Sequence, residues 1–304
     1  MRDITDTLSF PVLEADLLRI IDAALSEDLG MGDVTTDSLI RTSWQADGAL
    51  VVKGSGVLAG LPVAQAVFQR VDPLVQFSAA LSDGTAVSPG AVLGRVSGSA
   101  RSILKAERTA LNLLQRMSGV ASETAKYVKE VEGMPVRILD TRKTTPGLRA
   151  LEKYAVRMGG GYNHRHNLAD GVLIKDNHLE ALAIVEMTLT DAVRLAKERA
   201  PHTVRVEVEV TDLDQAREAV EAGADCVLLD NMSVQQMRDA MRSIKEWSEA
   251  VGRRRPLVEA SGGITLERVR AIAETGVDLI SVGALTHSFK ALDISLELSY
   301  NLNK

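Results

Sequence analysis

The sequence predicts an α/β fold whose second half is a β/α barrel, complete or partial. Three observations predict it. From about residue 136, short apolar runs alternate with helical stretches at intervals of roughly 20–35 residues, a pattern that parallel strands with right-handed crossovers produce. Charged or polar residues follow the runs, and barrel enzymes place their chemistry at the C-terminal ends of parallel strands. The chain has 304 residues, 45% apolar but only 3% aromatic, so its core is large and aliphatic. At roughly 150 residues per domain, this length suits one large or two ordinary domains. An open doubly wound sheet is the competing arrangement for the second half.

The first third reads as mixed α and β. Leu13, Leu17, Ile21, Ala24 and Leu25 share one face at helical spacing, and Glu27-Asp28-Leu29-Gly30 ends that helix. Residues 49–53 read as a strand. Gly54-Ser55-Gly56 after it is a turn rather than a dinucleotide loop, because the βαβ context is missing. Residues 62–71 are helical, and Asp83-Gly84 and Ser88-Pro89-Gly90 punctuate short strands. A helix over 99–117 buries Ile103, Ala106, Ala110, Leu114 and Met117, with Arg101, Lys105, Arg108 and Asn112 on a separate polar stripe. The later strands fall at 136–139, 171–174, 204–210, 226–229, 257–258 and 279–282. Helices at 190–200, 212–222, 233–247 and 265–275 lie between them.

Composition excludes several classes of function. The balance of 35 basic and 41 acidic residues gives a net charge of −6, which argues against a nucleic-acid coat or an anionic-membrane binder but not against a local cationic pocket. One cysteine excludes a disulfide framework or a Cys-cluster zinc site, and Cys226 reads as inert core. No apolar run reaches the roughly 18 residues that a membrane span needs. The first ten residues are polar and lack a signal-peptide core, so a cytoplasmic protein is expected.

Functional residues cluster after the strands. Asp140-Thr141-Arg142-Lys143 follows the first run and Lys175-Asp176-Asn177-His178 the second; Glu207 and Glu209 lie in the third. Asp230-Asn231, Glu259-Ala260-Ser261-Gly262-Gly263 and Gly283-Ala284 follow the others. The cations Arg142, Lys143, Arg165 and Lys175, with titratable His164, exceed what Glu209 and Asp230 neutralise, which implies a ligand with several negative charges. Arginine forks suit carboxylates and phosphates, and lysines act as point charges. Glu209 and Asp230 suit Mg²⁺, which bridges protein carboxylates to substrate phosphates. Glu207 shares a strand face with Glu209, but Glu209 is preferred by its distance from Asp230. Ser261-Gly262-Gly263 ahead of the helix at Thr265 forms a phosphate cradle. His178 and His287 read as structural, and Arg253-Arg254-Arg255 as a solvated loop. The sum is a phosphorylated, multiply anionic substrate with a divalent metal.

Several segments carry a resemblance: Asp140-Thr141-Arg142-Lys143-Thr144-Thr145-Pro146-Gly147-Leu148-Arg149, Gly159-Gly160-Gly161-Tyr162-Asn163-His164-Arg165, Ile174-Lys175-Asp176-Asn177-His178, Leu229-Asp230-Asn231-Met232 and Glu259-Ala260-Ser261-Gly262-Gly263-Ile264. With Gly32-Asp33-Val34-Thr35-Thr36 and Glu107-Arg108-Thr109-Ala110-Leu111-Asn112, the chain resembles the quinolinate phosphoribosyltransferases over about residues 27–295. The resemblance implies an N-terminal α/β sandwich domain (1–117), an incomplete seven-stranded β/α barrel (118–288), and a tail (289–304) packed on the first domain. It implies transfer of phosphoribose from phosphoribosyl pyrophosphate to quinolinate, with decarboxylation, giving nicotinate mononucleotide, pyrophosphate and CO₂. Arg142, His164, Arg165 and Lys175 would hold the dicarboxylate. Arg108 would be donated across the interface of a homodimer or higher homo-oligomer. Lys143, Glu209 and Asp230 would serve phosphoribosyl pyrophosphate and its Mg²⁺, and Ser261, Gly262 and Gly283 the nucleotide phosphate. The alternatives are a related phosphoribosyltransferase of the molybdenum-transport-linked type, expected to differ around Thr141-Arg142-Lys143, a Schiff-base lyase using Lys175 or Lys143, and a non-catalytic binder of phosphorylated metabolites.

Overall fold

A computed structural model describes residues 14–301; Leu13 of the first helix, the opening ten residues and residues 302–304 of the tail lie outside these. In chain order the elements are α1 (Glu14–Leu29), α2 (Val34–Leu39), β1 (Gln45–Val52), β2 (Gly56–Val57), α3 (Leu61–Val71), β3 (Gln76–Ala79), β4 (Ala86–Val87), β5 (Val92–Ser99) and α4 (Ala100–Glu130). There follow β6 (Arg137–Leu139), α5 (Arg149–Met158), β7 (Val172–Ile174), α6 (Asp176–Ala183), α7 (Leu189–Arg199), β8 (Val206–Val210) and α8 (Leu213–Ala222). The remainder are β9 (Cys226–Asp230), α9 (Val234–Ala250), β10 (Leu257–Ser261), α10 (Leu266–Ala273), β11 (Leu279–Ser281), α11 (Ala284–His287) and β12 (Ile294–Asn301). Among the described residues, no helix is long and apolar enough to cross a membrane.

The chain divides into two units. The first comprises Met1–Ala125, Thr144–Gly160 and Leu285–Lys304. Its main sheet runs β12-β1-β5-β3, and β12 pairs antiparallel with β1 along the full strand, from Gln45↔Asn301 to Val52↔Ile294. Helix α4 continues 13 residues past the expected end at Met117. Ser118-Gly119 resembles a stop in the sequence but is a packing site. The Ser118 hydroxyl donates to the Ala59 carbonyl (3.1 Å), and a β-carbon on residue 119 would sit 2.6 Å from the Lys290 carbonyl oxygen. The cationic stripe on α4 divides by role. Arg101 donates to the Ile40 carbonyl (2.6 Å) and Lys105 pairs with Asp37 (2.8 Å), both securing α2, whereas Arg108 is exposed.

Residues 144–160 lie within the expected 118–288 span but group with the first unit, as do 118–125. The cause is α5, absent from the sequence expectation, which buries Leu151, Tyr154, Ala155 and Val156. The Tyr154 hydroxyl donates to Asp83 (2.8 Å), whose carboxylate also accepts the N–H groups of Gly60 (2.7 Å) and Leu61 (3.1 Å). Glu152, wholly buried, accepts from Thr145 N–H (3.0 Å) and from Arg116 Nε (3.1 Å), so the end of the 140–149 motif is tied down by a charge-assisted network.

The second unit comprises Lys126–Lys143 and Gly161–Ala284. Its sheet is parallel, six strands in the order β6-β11-β10-β9-β8-β7. The sheet has six strands rather than the expected seven; beside β6 a single residue, Tyr162, makes a parallel bridge to Leu139, donating to Ile138 O (2.8 Å) and accepting from Asp140 N–H (3.1 Å). A strand of one residue leaves no apolar run to detect. The Arg253-Arg254-Arg255 segment is not simply solvated. Arg255 grips Asp278 with two bonds of 2.8 Å, and Arg253 donates to the Glu221 carbonyl (3.0 Å) at the C-terminal end of α8, where a cation is favoured.

Candidate active site

Paired residues in a parallel sheet point to the same side, so the register decides which side chains converge. Glu207 pairs with Leu173 and Cys226, Glu209 with Leu228, Leu228 with Glu259, and Asp230 with Ser261. Glu207, Glu209, Cys226, Asp230, Glu259 and Ser261 therefore occupy one face. Lys175 continues β7 by one residue beyond the Ile174↔Val208 pair, beside Glu209, and its ammonium forms an ion pair with the Glu209 carboxylate. The alternation in Val206-Glu207-Val208-Glu209-Val210 is the sequence cause, with valines on one side and acids on the other.

The cationic wall rises from the end of β6 and the loop after it. Asp140, wholly buried, accepts the His164 N–H (2.8 Å) and the Asn163 amide (2.5 Å), which fixes residues 163–165 against the end of β6. Arg142 and Lys143 follow and are exposed. Arg165 donates to the Gly171 carbonyl (3.3 Å). Burial and the Arg142 charge hold the Arg165 guanidinium below the usual arginine range, while Glu207 acts in the opposite sense. Two arginines thus press on each other at this mouth, the condition that an anion relieves.

His164 is held at both ring nitrogens. Nδ1 accepts the Arg165 backbone N–H (2.7 Å), and Nε2 lies 3.2 Å from Glu207 Oε2 and 3.6 Å from Glu259 Oε1. Sequence reasoning passed over Glu259 and preferred Glu209 to Glu207; the signal for both was an acid at an inward position of a buried strand. Cys226 joins the same cluster, its sulfur 3.4 Å from Glu207 Oε1, and burial with the neighbouring carboxylates pushes its thiol well above the ordinary range. The thiol is buried, as the sequence suggests, although its neighbours are acids.

At the other side of the mouth, Asp230 accepts from the Asn231 amide (2.6 Å), and Asn231 N–H donates to the Ser261 carbonyl (3.0 Å). Asn231 adopts φ +54°, Gly262 +86° and Gly263 +58°. Thr265, at the N-cap of α10, makes no side-chain cap, and the Glu267 carboxylate accepts from its own backbone N–H and from the Thr265 side chain. Gly283 lies between β11 and α11. Arg142, Lys143, His164, Arg165, Lys175, Glu209, Asp230, Ser261, Gly262 and Gly283 all belong to the second unit, whereas Arg108 belongs to α4 of the first.

Comparisons with known proteins agree on one family. Residues 33–118 match the family model described as quinolinate phosphoribosyl transferase, N-terminal domain, and residues 120–297 the C-terminal domain. The probable nicotinate-nucleotide pyrophosphorylase [carboxylating] of Bacillus subtilis (strain 168) is 41% identical over 283 residues, 93% of each chain. The crystal structure of NadC from Streptococcus pyogenes superposes with a TM-score of 0.88 at 40% identity, covering 96% of this chain and all of that one. The nicotinate-nucleotide pyrophosphorylase from Francisella tularensis gives a TM-score of 0.87 at 37% identity, covering 98% and 100%. The chain belongs to the quinolinate phosphoribosyltransferase family.

Proposed function

We propose that this protein transfers phosphoribose from phosphoribosyl pyrophosphate to quinolinate and releases pyrophosphate and CO₂, forming nicotinate mononucleotide in pyridine nucleotide synthesis. The observation that carries the reading is the half-buried Arg165 beside Arg142, with Lys175 at the end of β7: an excess of cations at one mouth that suits a ligand with two carboxylates. Relatives at about 40% identity bear the name of that activity.

Arg142, Arg165 and Lys175, with His164 beneath, orient the dicarboxylate and screen it from the pyrophosphate. Lys143 supplies charge for the leaving group, and the Ser261-Gly262 turn and Gly283 receive the phosphate through backbone N–H groups. The pyridine nitrogen forms a bond to the anomeric carbon as the carbon–oxygen bond to pyrophosphate breaks; Glu209 and Asp230 place negative charge near the developing oxocarbenium. The ring nitrogen, now cationic, accepts the electron pair left when the adjacent carboxylate departs as CO₂, and a solvent proton replaces that carboxylate. The chain forms no covalent intermediate.

Glu209 and Asp230 also suit Mg²⁺. They are hard oxygen donors on adjacent strands, Glu209 paired with Lys175 and Asp230 with the Asn231 amide, a donor type that Mg²⁺ shares with substrate phosphates. Bound there, Mg²⁺ would neutralise charge on the pyrophosphate. The exposed Arg108 suits donation to a neighbouring copy in a homodimer, and a cytoplasmic location completes the reading. Incubation with Mg²⁺, quinolinate and phosphoribosyl pyrophosphate should yield nicotinate mononucleotide and CO₂ in equal amounts. Chelation should stop the reaction and nicotinate should not replace quinolinate. A product without CO₂ release would overturn the reading.

A further inference from the structure

The transfer reaction leaves one buried group unexplained, a pair of carboxylates beneath the cationic mouth. Glu259 is 1% exposed and Glu207 8%. Glu259 Oε1 has no hydrogen-bond partner, and the nearby ring nitrogen is His164 Nε2 at 3.6 Å. The three side chains place their ligand-type atoms within 4.8 Å of one another. Buried acids are costly unless they are paired, so the retention of two of them beside Cys226 on this face calls for a role.

The ring they meet supplies it. His164 Nδ1 accepts the Arg165 backbone N–H at 2.7 Å, and a nitrogen that accepts carries no proton. The ring hydrogen therefore lies on Nε2, directed at Glu207 Oε2 3.2 Å away. We propose that Glu207 and Glu259 are positioning residues for the dicarboxylate: they hold His164 as its Nε2–H tautomer, so that Nδ1 fixes the Arg165 backbone and with it the guanidinium beside Arg142. The proposal rests on the transfer reading for the identity of the ligand. It is the arrangement by which outer hydrogen-bond partners orient a functional imidazole. Burial and the Glu207 charge push the Glu259 carboxyl up to about 8.

The first test is ¹⁵N NMR of the histidine rings in the full-length protein at neutral pH, with His164 assigned by the signal lost in His164→Gln. Nδ1 should be unprotonated and Nε2 protonated; a proton on Nδ1 overturns the proposal. The second is calorimetric binding of quinolinate, and separately of phosphoribosyl pyrophosphate, to Glu259→Gln and Glu207→Gln. The Kd for quinolinate should rise about tenfold or more in each, while that for phosphoribosyl pyrophosphate stays within about twofold. Equal weakening of both ligands, or of neither, overturns the proposal. Should Glu259→Gln fail to fold, the wild-type tautomer and Glu207→Gln decide. Absence of turnover alongside the expected tautomer and quinolinate binding would defeat the transfer reading and leave this one standing.

Discussion

Asn231 Oδ1 occupies the space that a side chain at Gly262 would need: a β-carbon there would lie 2.3 Å from that oxygen and 2.8 Å from the Asn231 backbone nitrogen. Both residues have positive φ, at +54° and +86°, and the asparagine amide also holds Asp230. Strained backbone of this kind persists where the surroundings enforce it, commonly at functional sites. Gly262→Ala should therefore displace the turn and Asn231 together. The expected outcome is a KM for phosphoribosyl pyrophosphate raised by about tenfold or more, with quinolinate affinity little changed. Steady-state kinetics with each substrate varied in turn checks this. An unchanged KM would mean that the turn does not meet the phosphate.

Lys175 and Glu209 are tied to each other in an ion pair, so each substitution has two consequences. Lys175→Ala removes a cation from the dicarboxylate and releases Glu209; kcat/KM should fall by about two orders of magnitude or more, and Arg142→Ala should do the same. Lys175→Arg should not restore activity, because a planar fork does not replace a compact ammonium at this position. Near-normal turnover in Lys175→Ala would remove it from the proposed site.

How much of this site was legible in the sequence depends on what each residue does. Lys175, Asp230 and Ser261 were picked out because they lie at the ends of strands whose apolar runs are long enough to count, and the mouth of a parallel sheet follows from that count. Tyr162 was not read as a strand because a one-residue bridge has no period. Helix α6 was not foreseen: Leu179, Leu182 and Ala183 make only a short apolar face, and the helix buries no residue. Glu259 was overlooked for the opposite reason: it is buried, and an acid inside a strand signals function only when the register shows which side chains it meets. Arg253 and Arg255 looked like a solvated run because their partners, Glu221 and Asp278, lie 32 and 23 residues away in sequence.

Arg108 supplies a test of assembly. It is exposed on α4, while Arg101 and Lys105 of the same stripe are engaged by α2. If Arg108 serves a neighbouring copy, Arg108→Ala and Arg142→Ala should each be nearly inactive, yet mixing them with subunit exchange should regenerate one intact site per heterodimer. Equal mixtures should recover about a quarter of wild-type activity, the share expected of a two-fold dimer with random exchange. No recovery, with exchange verified by mass, would show that Arg108 acts within its own chain or not at all.

Glu259 also sets a pH dependence of stability. Its carboxyl titrates near 8 in the fold against an ordinary value of 4.5, raised by burial and by Glu207. Between those values the native state binds a proton that the unfolded chain has released, so this residue's contribution is complete below about 4.5 and is lost as the pH rises through 8. Exposed acids with partners, such as Asp37 beside Lys105, are lowered instead, and their contributions vanish only as the pH falls below the ordinary carboxylate range. Glu259→Gln cannot ionise and removes the first effect alone. Thermal melts of both proteins from pH 5 to 8.5 should show the variant gaining on the wild type steadily across the window, with the larger difference at the alkaline end. Parallel curves would mean that Glu259 titrates in its ordinary range.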